Sequence, residues 1–145
     1  MFKRILLPTD GSDLSSRAVL AGVSFAKEVG AKLVGMTVMP DFKTFTTNTD
    51  MIESTEDEYL GASDARGGKY LATIADAARS VGVACTTLLV RSDDPHDAIL
   101  RAAREQGCDL IVMASHGRHG LTGVLLGSET QKVLVHSSIP VLVYR

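Results

Sequence analysis

Scarcity narrows the field before any motif does. The chain has two cysteines in 145 residues. Cys85 and Cys108 lie far apart without metal-ligand spacing, and both read as small buried hydrophobes of a reducing cytoplasm. No apolar run approaches the roughly 20 residues needed to span a bilayer. Met1-Phe-Lys-Arg4 runs straight into an apolar segment, so no room is left for a signal peptide and a cytoplasmic location is expected. Neither sign of charge dominates, with 15 basic against 17 acidic residues, which implies no nucleic-acid or anionic-membrane partner. Aromatic residues make up only 5% of the chain, and no basic stripe with interleaved aromatics occurs, which argues further against RNA or DNA. There is no internal repeat, linker or low-complexity stretch. The length suits one domain, 1–145, large enough to bury about two-thirds of its unfolded surface.

Glycine is plentiful, and it clusters where the chemistry is expected. Leu110 to Met113 is a short continuous apolar run, the pattern of a strand buried on both faces. Hydrophobicity stops at Ser115, and Gly117, Gly120, Gly123 and Gly127 follow. Ser128-Glu-Thr-Gln131 then opens a helical pattern in which Ser128 suits the N-cap and Gln131 completes a capping box. Glycines let a ligand approach the main chain closely, and the first N–H groups of a helix have no intrahelical partner and sit at the positive end of its dipole. A loop delivering those groups to the end of a strand is an anion site, usually for phosphate. It is not a Walker A loop, since no Lys-Ser or Lys-Thr follows Gly127, and its glycine spacing is not the Rossmann fingerprint.

Ala114-Ser-His-Gly117, nine residues, then Gly127-Ser128 resembles the nucleotide-binding motif of the universal stress protein family, G-x-x-G-x(9)-G-[ST]. Met1 to Asp10 resembles that family's first strand and Ile139 to Tyr144 its last, so the resemblance spans essentially the whole chain. One departure stands out: the motif's first glycine is Ala114 here. The resemblance implies a three-layer α/β sandwich of the Rossmann-like, adenine nucleotide alpha hydrolase-like kind, with five parallel strands in the order 3-2-1-4-5. It implies ATP as cofactor, with Mg²⁺ bridging its phosphates. The implied site comprises Pro8, Thr9 and Asp10, then Ala114, Gly117, Arg118, Gly127, Ser128, Glu129 and Thr130; Val38 and Met113 stand at strand ends expected to face the same crevice.

Strand and helix patterns alternate along the chain. Arg4 to Pro8 is the first strand, and Ser12 or Asp13 caps a helix whose stripe is Leu14, Ala18, Ala21, Phe25 and Val29, stopped by Gly30. Lys32 to Met39 is the second strand. Asp41 to about Glu58 reads as a surface loop and about Glu56 to Val81 as a helix, weakened by Gly61 and Gly67-Gly68 but striped by Tyr70, Leu71, Ile74, Ala77 and Ala78. Val83 to Val90 is the third strand. Asp94, with Pro95 at the first helical position, starts a helix closed by Gly107. The fourth strand and the loop follow, then a helix to about His136 and a fifth strand from Ile139 to Tyr144. Such alternation gives a parallel sheet with helices on both faces, and ligands bind at the strand ends where the order reverses.

Each candidate residue carries two readings. Asp10 contacts the nucleoside or is a turn residue capping the first helix. Ser128 donates to a phosphate, closes the capping box, or both. Glu129 would repel a phosphate unless turned away. Val38 and Met113 pack on a base or are ordinary core. Arg118 and His119 lend positive potential or are merely solvated. His116 and His119 lack a third ligand at useful spacing, so no metal site is expected. Asp93 and Asp94 raise a response-regulator reading, which fails for want of a carboxylate pair after strand one and a Lys before strand five. No nucleophile–base pair stands out. An ATP-binding stress-response regulator is the leading reading, with a slow nucleotide hydrolase and a nucleotide-free interaction scaffold as alternatives. The apolar final strand, with nothing after it to cover an edge, implies a homodimer paired through that strand.

Overall fold

The computed structural model describes residues 1–41, 53–117 and 126–145. Strands and helices alternate as β1 (Arg4–Pro8), α1 (Asp13–Val29), β2 (Lys32–Met39), α2 (Glu53–Ser80), β3 (Cys85–Arg91), α3 (Pro95–Glu105), β4 (Leu110–Ala114), α4 (Ser128–His136) and β5 (Val141–Tyr144). All strand pairings are parallel and the order is β3-β2-β1-β4-β5, as the family resemblance implied. Successive side chains of the central strands enter opposite layers, which is why these strands read as unbroken apolar runs. Ile5, Leu7, Leu33, Leu110 and Val112 pack with α1 and α2 residues such as Val19, Val23 and Ile74. Leu6, Val34, Met36, Ile111 and Met113 pack on the other face with Ile99, Ala103 and Val133 of α3 and α4.

Of the two caps offered for α1, Ser12 serves: its hydroxyl accepts the N–H of Ser15 at 3.2 Å, and Gly30 ends the helix at φ 72°. The buried face is rotated from the expected stripe. Ser15, Ala18, Val19, Gly22, Val23 and Ala26 are buried, while Leu14, Ala21, Phe25 and Val29 flank them half-exposed. Hydrophobicity misplaced the face because two of its members are not apolar side chains: Ser15 hydrogen-bonds Thr9, and Gly22 lies so close to Leu7 that a Cβ would collide with it.

The second helix begins at Glu53, ahead of the expected position, so the loop reading fails for 53–58; the remainder of that loop, 42–52, lies outside the described residues. Gly61, Gly67 and Gly68 do not interrupt it. At Gly67 the reason is contact: a Cβ there would stand 2.6 Å from Leu89 Cδ1 and 3.0 Å from Met39 Cε. Glycine lets α2 settle closely onto β2 and β3, outweighing its poor helix propensity. The stripe Leu71, Ile74 and Ala78 is buried as expected.

Other boundaries shift by a residue or two. Val83 belongs to the turn after α2, its N–H bonding Ala78 O at 2.9 Å, so β3 starts at Cys85. Ile139 N–H bonds Ser137 Oγ and Pro140 has no N–H to give, so β5 starts at Val141. Cys108 is buried as expected, whereas Cys85, on the outer strand β3, is only half-buried.

Candidate functional site

The order of the sheet reverses between β1 and β4, and the chain segments leaving their C-terminal ends meet there. Thr9 is tied down on every side. Its N–H bonds Met36 O at 2.9 Å, its carbonyl accepts from Thr37 Oγ1 at 2.7 Å, and its hydroxyl meets Ser15 Oγ at 2.7 Å. Asp10 follows, half-buried, with Oδ1 accepting the N–H of Ser12 at 3.0 Å in an Asx turn. The carboxylate is thereby aimed at β4: a Cβ at Gly117 would overlap Asp10 Oδ2. Only glycine allows the two segments to approach so closely, and the reason is contact, because the backbone at Gly117 is not left-handed.

The neck of the β4–α4 loop is closed by hydrogen bonds. Ser115, 2% exposed, donates its N–H to Tyr144 O at 2.7 Å and accepts Gly127 N–H at 2.6 Å. A Cβ on Gly127 would stand 3.1 Å from His116 Cα, so backbone packs on backbone here too. The buried Thr130 donates its hydroxyl to Ala114 O at 3.0 Å. These contacts hold the first turn of α4, with its unpaired N–H groups, at the end of β4. The cap itself corrects the expectation. Gly127 is the N-cap, Ser128 is already helical and exposed, and no capping box forms. Gln131 reaches Leu126 O instead, at 3.0 Å. Gly127 takes the cap position because its N–H is needed by Ser115.

Glu129 points away from the crevice. Oε2 accepts the N–H of His96 at 2.9 Å, and Oε1 accepts from Lys132 Nζ at 3.2 Å, so its charge serves the first turn of α3 as well as that of α4.

A model of the universal stress protein family matches residues 1–145, the full span of β1 to β5. The chain belongs to that family. The universal stress protein YxiE of Bacillus subtilis is 35% identical over 149 aligned residues, with all of both chains covered. Among solved structures, universal stress protein UspA from Lactobacillus plantarum superposes with a TM-score of 0.85 at 26% identity, over 99% of this chain and 97% of that one. A universal stress protein solved in complex with cAMP does so with a TM-score of 0.69 at 26% identity, over 99% and 97%.

In this universal stress protein the expected site residues do not all share one place. Asp10, Ala114, Gly117, Gly127 and Ser128 come together around the crevice at the ends of β1 and β4. Pro8 ends β1 beside them. Thr9 and Thr130 are buried and spend their hydroxyls on building the crevice wall. Val38 and Met113 project into the same layer as α3 and α4; Met113 is buried core and Val38 is half-buried. Arg118 and His119 lie outside the described residues, while His116 places Nδ1 3.2 Å from Ser115 Oγ. Ser15 and Ser115, which orient Thr9 and the loop neck, were not singled out from the sequence. A lone serine beside a strand end carries no signal until its partner is known.

Proposed function

We propose that the crevice between β1 and β4 binds an adenine nucleotide, ATP foremost, with Mg²⁺ bridging the phosphates. The observation that carries this reading is the approach of Gly117 to Asp10. It brings a carboxylate suited to ribose hydroxyls against a loop whose neck delivers the first N–H groups of α4 to phosphate. The relative solved in complex with cAMP supports the choice of an adenine ring. Ala114 does not oppose it: the residue lies within β4, an extended conformation open to any residue, and is 8% exposed. The polar side chains Thr9, Thr130 and Glu129 are engaged in holding backbone, so the site is built to bind and release. The function that follows is regulation in a cytoplasmic stress response, with slow hydrolysis and a nucleotide-free scaffold as the competing readings. The edge strand β5, with Leu142 40% exposed, is the surface for a homodimer, checked by sedimentation.

Calorimetric titration of the purified chain with ATP and Mg²⁺ tests the reading. One site per chain is expected, with Ala114→Gly changing Kd by less than about threefold, under 1 kcal/mol. No binding by the native chain, rescued by the glycine, would overturn it. Steady release of inorganic phosphate at enzyme-like rates would favour the hydrolase instead.

A further inference from the structure

Away from the crevice, where α3 and α4 begin, three side chains converge. His96 Nδ1 is shut off from solvent and makes no aligned hydrogen bond among the described residues. It nevertheless lies 2.6 Å from Asp94 Oδ1 and 3.4 Å from Glu129 Oε2. One ligand atom from each of the three residues falls within 4.8 Å of the others. Adjacent donors on a single first-row ion stand roughly 3–3.5 Å apart, because the bonds themselves are about 2.0–2.2 Å long; the Nδ1–Oε2 pair falls in that range and the Nδ1–Oδ1 pair is closer still, so ion entry would part His96 and the exposed Asp94 carboxylate slightly. Electron-rich atoms at this spacing repel unless positive charge sits among them. A proton on Nδ1 can serve one carboxylate at most, and neither carboxylate is aligned to receive it.

The positions of these groups are held independently of any ion. Oε2 of Glu129 is steered by the N–H of His96 at 2.9 Å and keeps a lone pair toward Nδ1. Its partner oxygen, Oε1, accepts from Lys132 Nζ at 3.2 Å, which leaves Oε2 as the oxygen nearest Nδ1. The imidazole lies against His136, ring centroids 5.9 Å apart, and the cluster opens to solvent on the side of Asp94, whose side chain is 57% exposed. Asp94 makes no capping hydrogen bond with its side chain although it stands at the N-cap of α3, so its carboxylate is not spent on the helix.

We propose that Asp94, His96 and Glu129 form a three-ligand site for a divalent first-row metal ion. One imidazole with two carboxylates suits borderline ions such as Zn²⁺, Mn²⁺ or Fe²⁺ better than Ca²⁺. Three protein ligands leave coordination positions open to water or an external anion. The site joins α3 to α4 through side chains that do not build the crevice wall, so it does not rest on the nucleotide reading and is distinct from an ion carried by ATP phosphates.

Chelator-treated chain, free of nucleotide, is titrated with Co²⁺ followed by its visible absorption, then with Zn²⁺ in competition. One Co²⁺ per chain is expected, displaced by Zn²⁺. His96→Gln and Glu129→Gln should each weaken binding by more than the roughly 10–100-fold that changes around a metal's outer layer produce. Asp94→Asn is the check against misfolding, since its side chain makes no capping bond; it too should lose the Co²⁺ spectrum while its far-ultraviolet circular dichroism stays native. Absence of saturable Co²⁺ binding by the native chain would overturn the proposal. So would an unchanged spectrum in both the His96 and Asp94 variants.

Discussion

Thr130→Val tests whether the hydroxyl tie to Ala114 is what holds α4 against the end of β4. Valine keeps the branched shape and nearly the volume of threonine, so packing is little disturbed while the donor to Ala114 O, 3.0 Å away, disappears. An ordinary hydrogen bond contributes about 0.5–1.5 kcal/mol net, but stranding a buried partner raises the loss to about 1–3 kcal/mol. Thr130 is 3% exposed and Ala114 8%, so water cannot replace the hydroxyl, and about 2 kcal/mol is expected. A chain of 145 residues loses roughly 2–4 °C of Tm per kcal/mol, giving a fall of about 4–8 °C in calorimetry or thermal circular dichroism. Since α4's first turn forms the proposed phosphate cradle, ATP affinity should drop in parallel. A Tm change equivalent to less than about 0.5 kcal/mol, the range of an ordinary surface substitution, would refute the assignment of this tie.

The two loop glycines should fail differently. Gly117→Ala drives the far end of Asp10 off its bond to Ser12 N–H, costing about 1 kcal/mol of stability but at least tenfold in ATP affinity, whereas Gly127→Ala meets His116 backbone and should cost about 1–3 kcal/mol; denaturant melts ranking them in reverse would contradict this. Asp109 joins the starts of β1 and β4 by accepting the N–H groups of Lys3 and Arg4 at 2.9–3.1 Å. Burial pushes its carboxyl pKa up, but these backbone bonds and the terminal amine outweigh it, leaving the group below its ordinary value. A lowered carboxyl stabilises the fold above the ordinary carboxylate pKa and loses that contribution as pH falls through the lowered one. Asp109→Asn should therefore melt below the native chain at pH 7, with the gap narrowing as pH falls below the ordinary carboxylate range. Burial pushes the Cys108 thiol up to about 11 and raises Cys85 less, partly offset by the Gly35 backbone. Since Cys85 is also the more exposed, alkylation at pH 8 read by mass spectrometry should label it first, and the opposite order would refute the burial assignment.

From sequence alone, what can be read is whatever is decided within a few residues. The bounds of β1 and β2 and the Gly30 stop depend on short-range periodicity and local backbone chemistry, and each is where the residues place it, while the α1 cap was narrowed to Ser12 or Asp13 and falls on Ser12. The glycine loop at the end of β4 was legible in its residues, but the strand order was legible only through the family motif, because no local rule pairs β1 with β4 across a hundred residues of chain. The tertiary structure decided everything that depends on a distant neighbour. Gly67 sits within a helix because Leu89 and Met39 lie against it. The core face of α1 is set by Ser15 meeting Thr9 and by Gly22 meeting Leu7. Gly127 displaces Ser128 as the cap because Ser115 claims its N–H. His96 faces Glu129 because packing of α3 on α4 brings together residues 33 positions apart. In each case the deciding energy is a contact between elements packed on the sheet, and such contacts leave no periodicity in the chain that makes them.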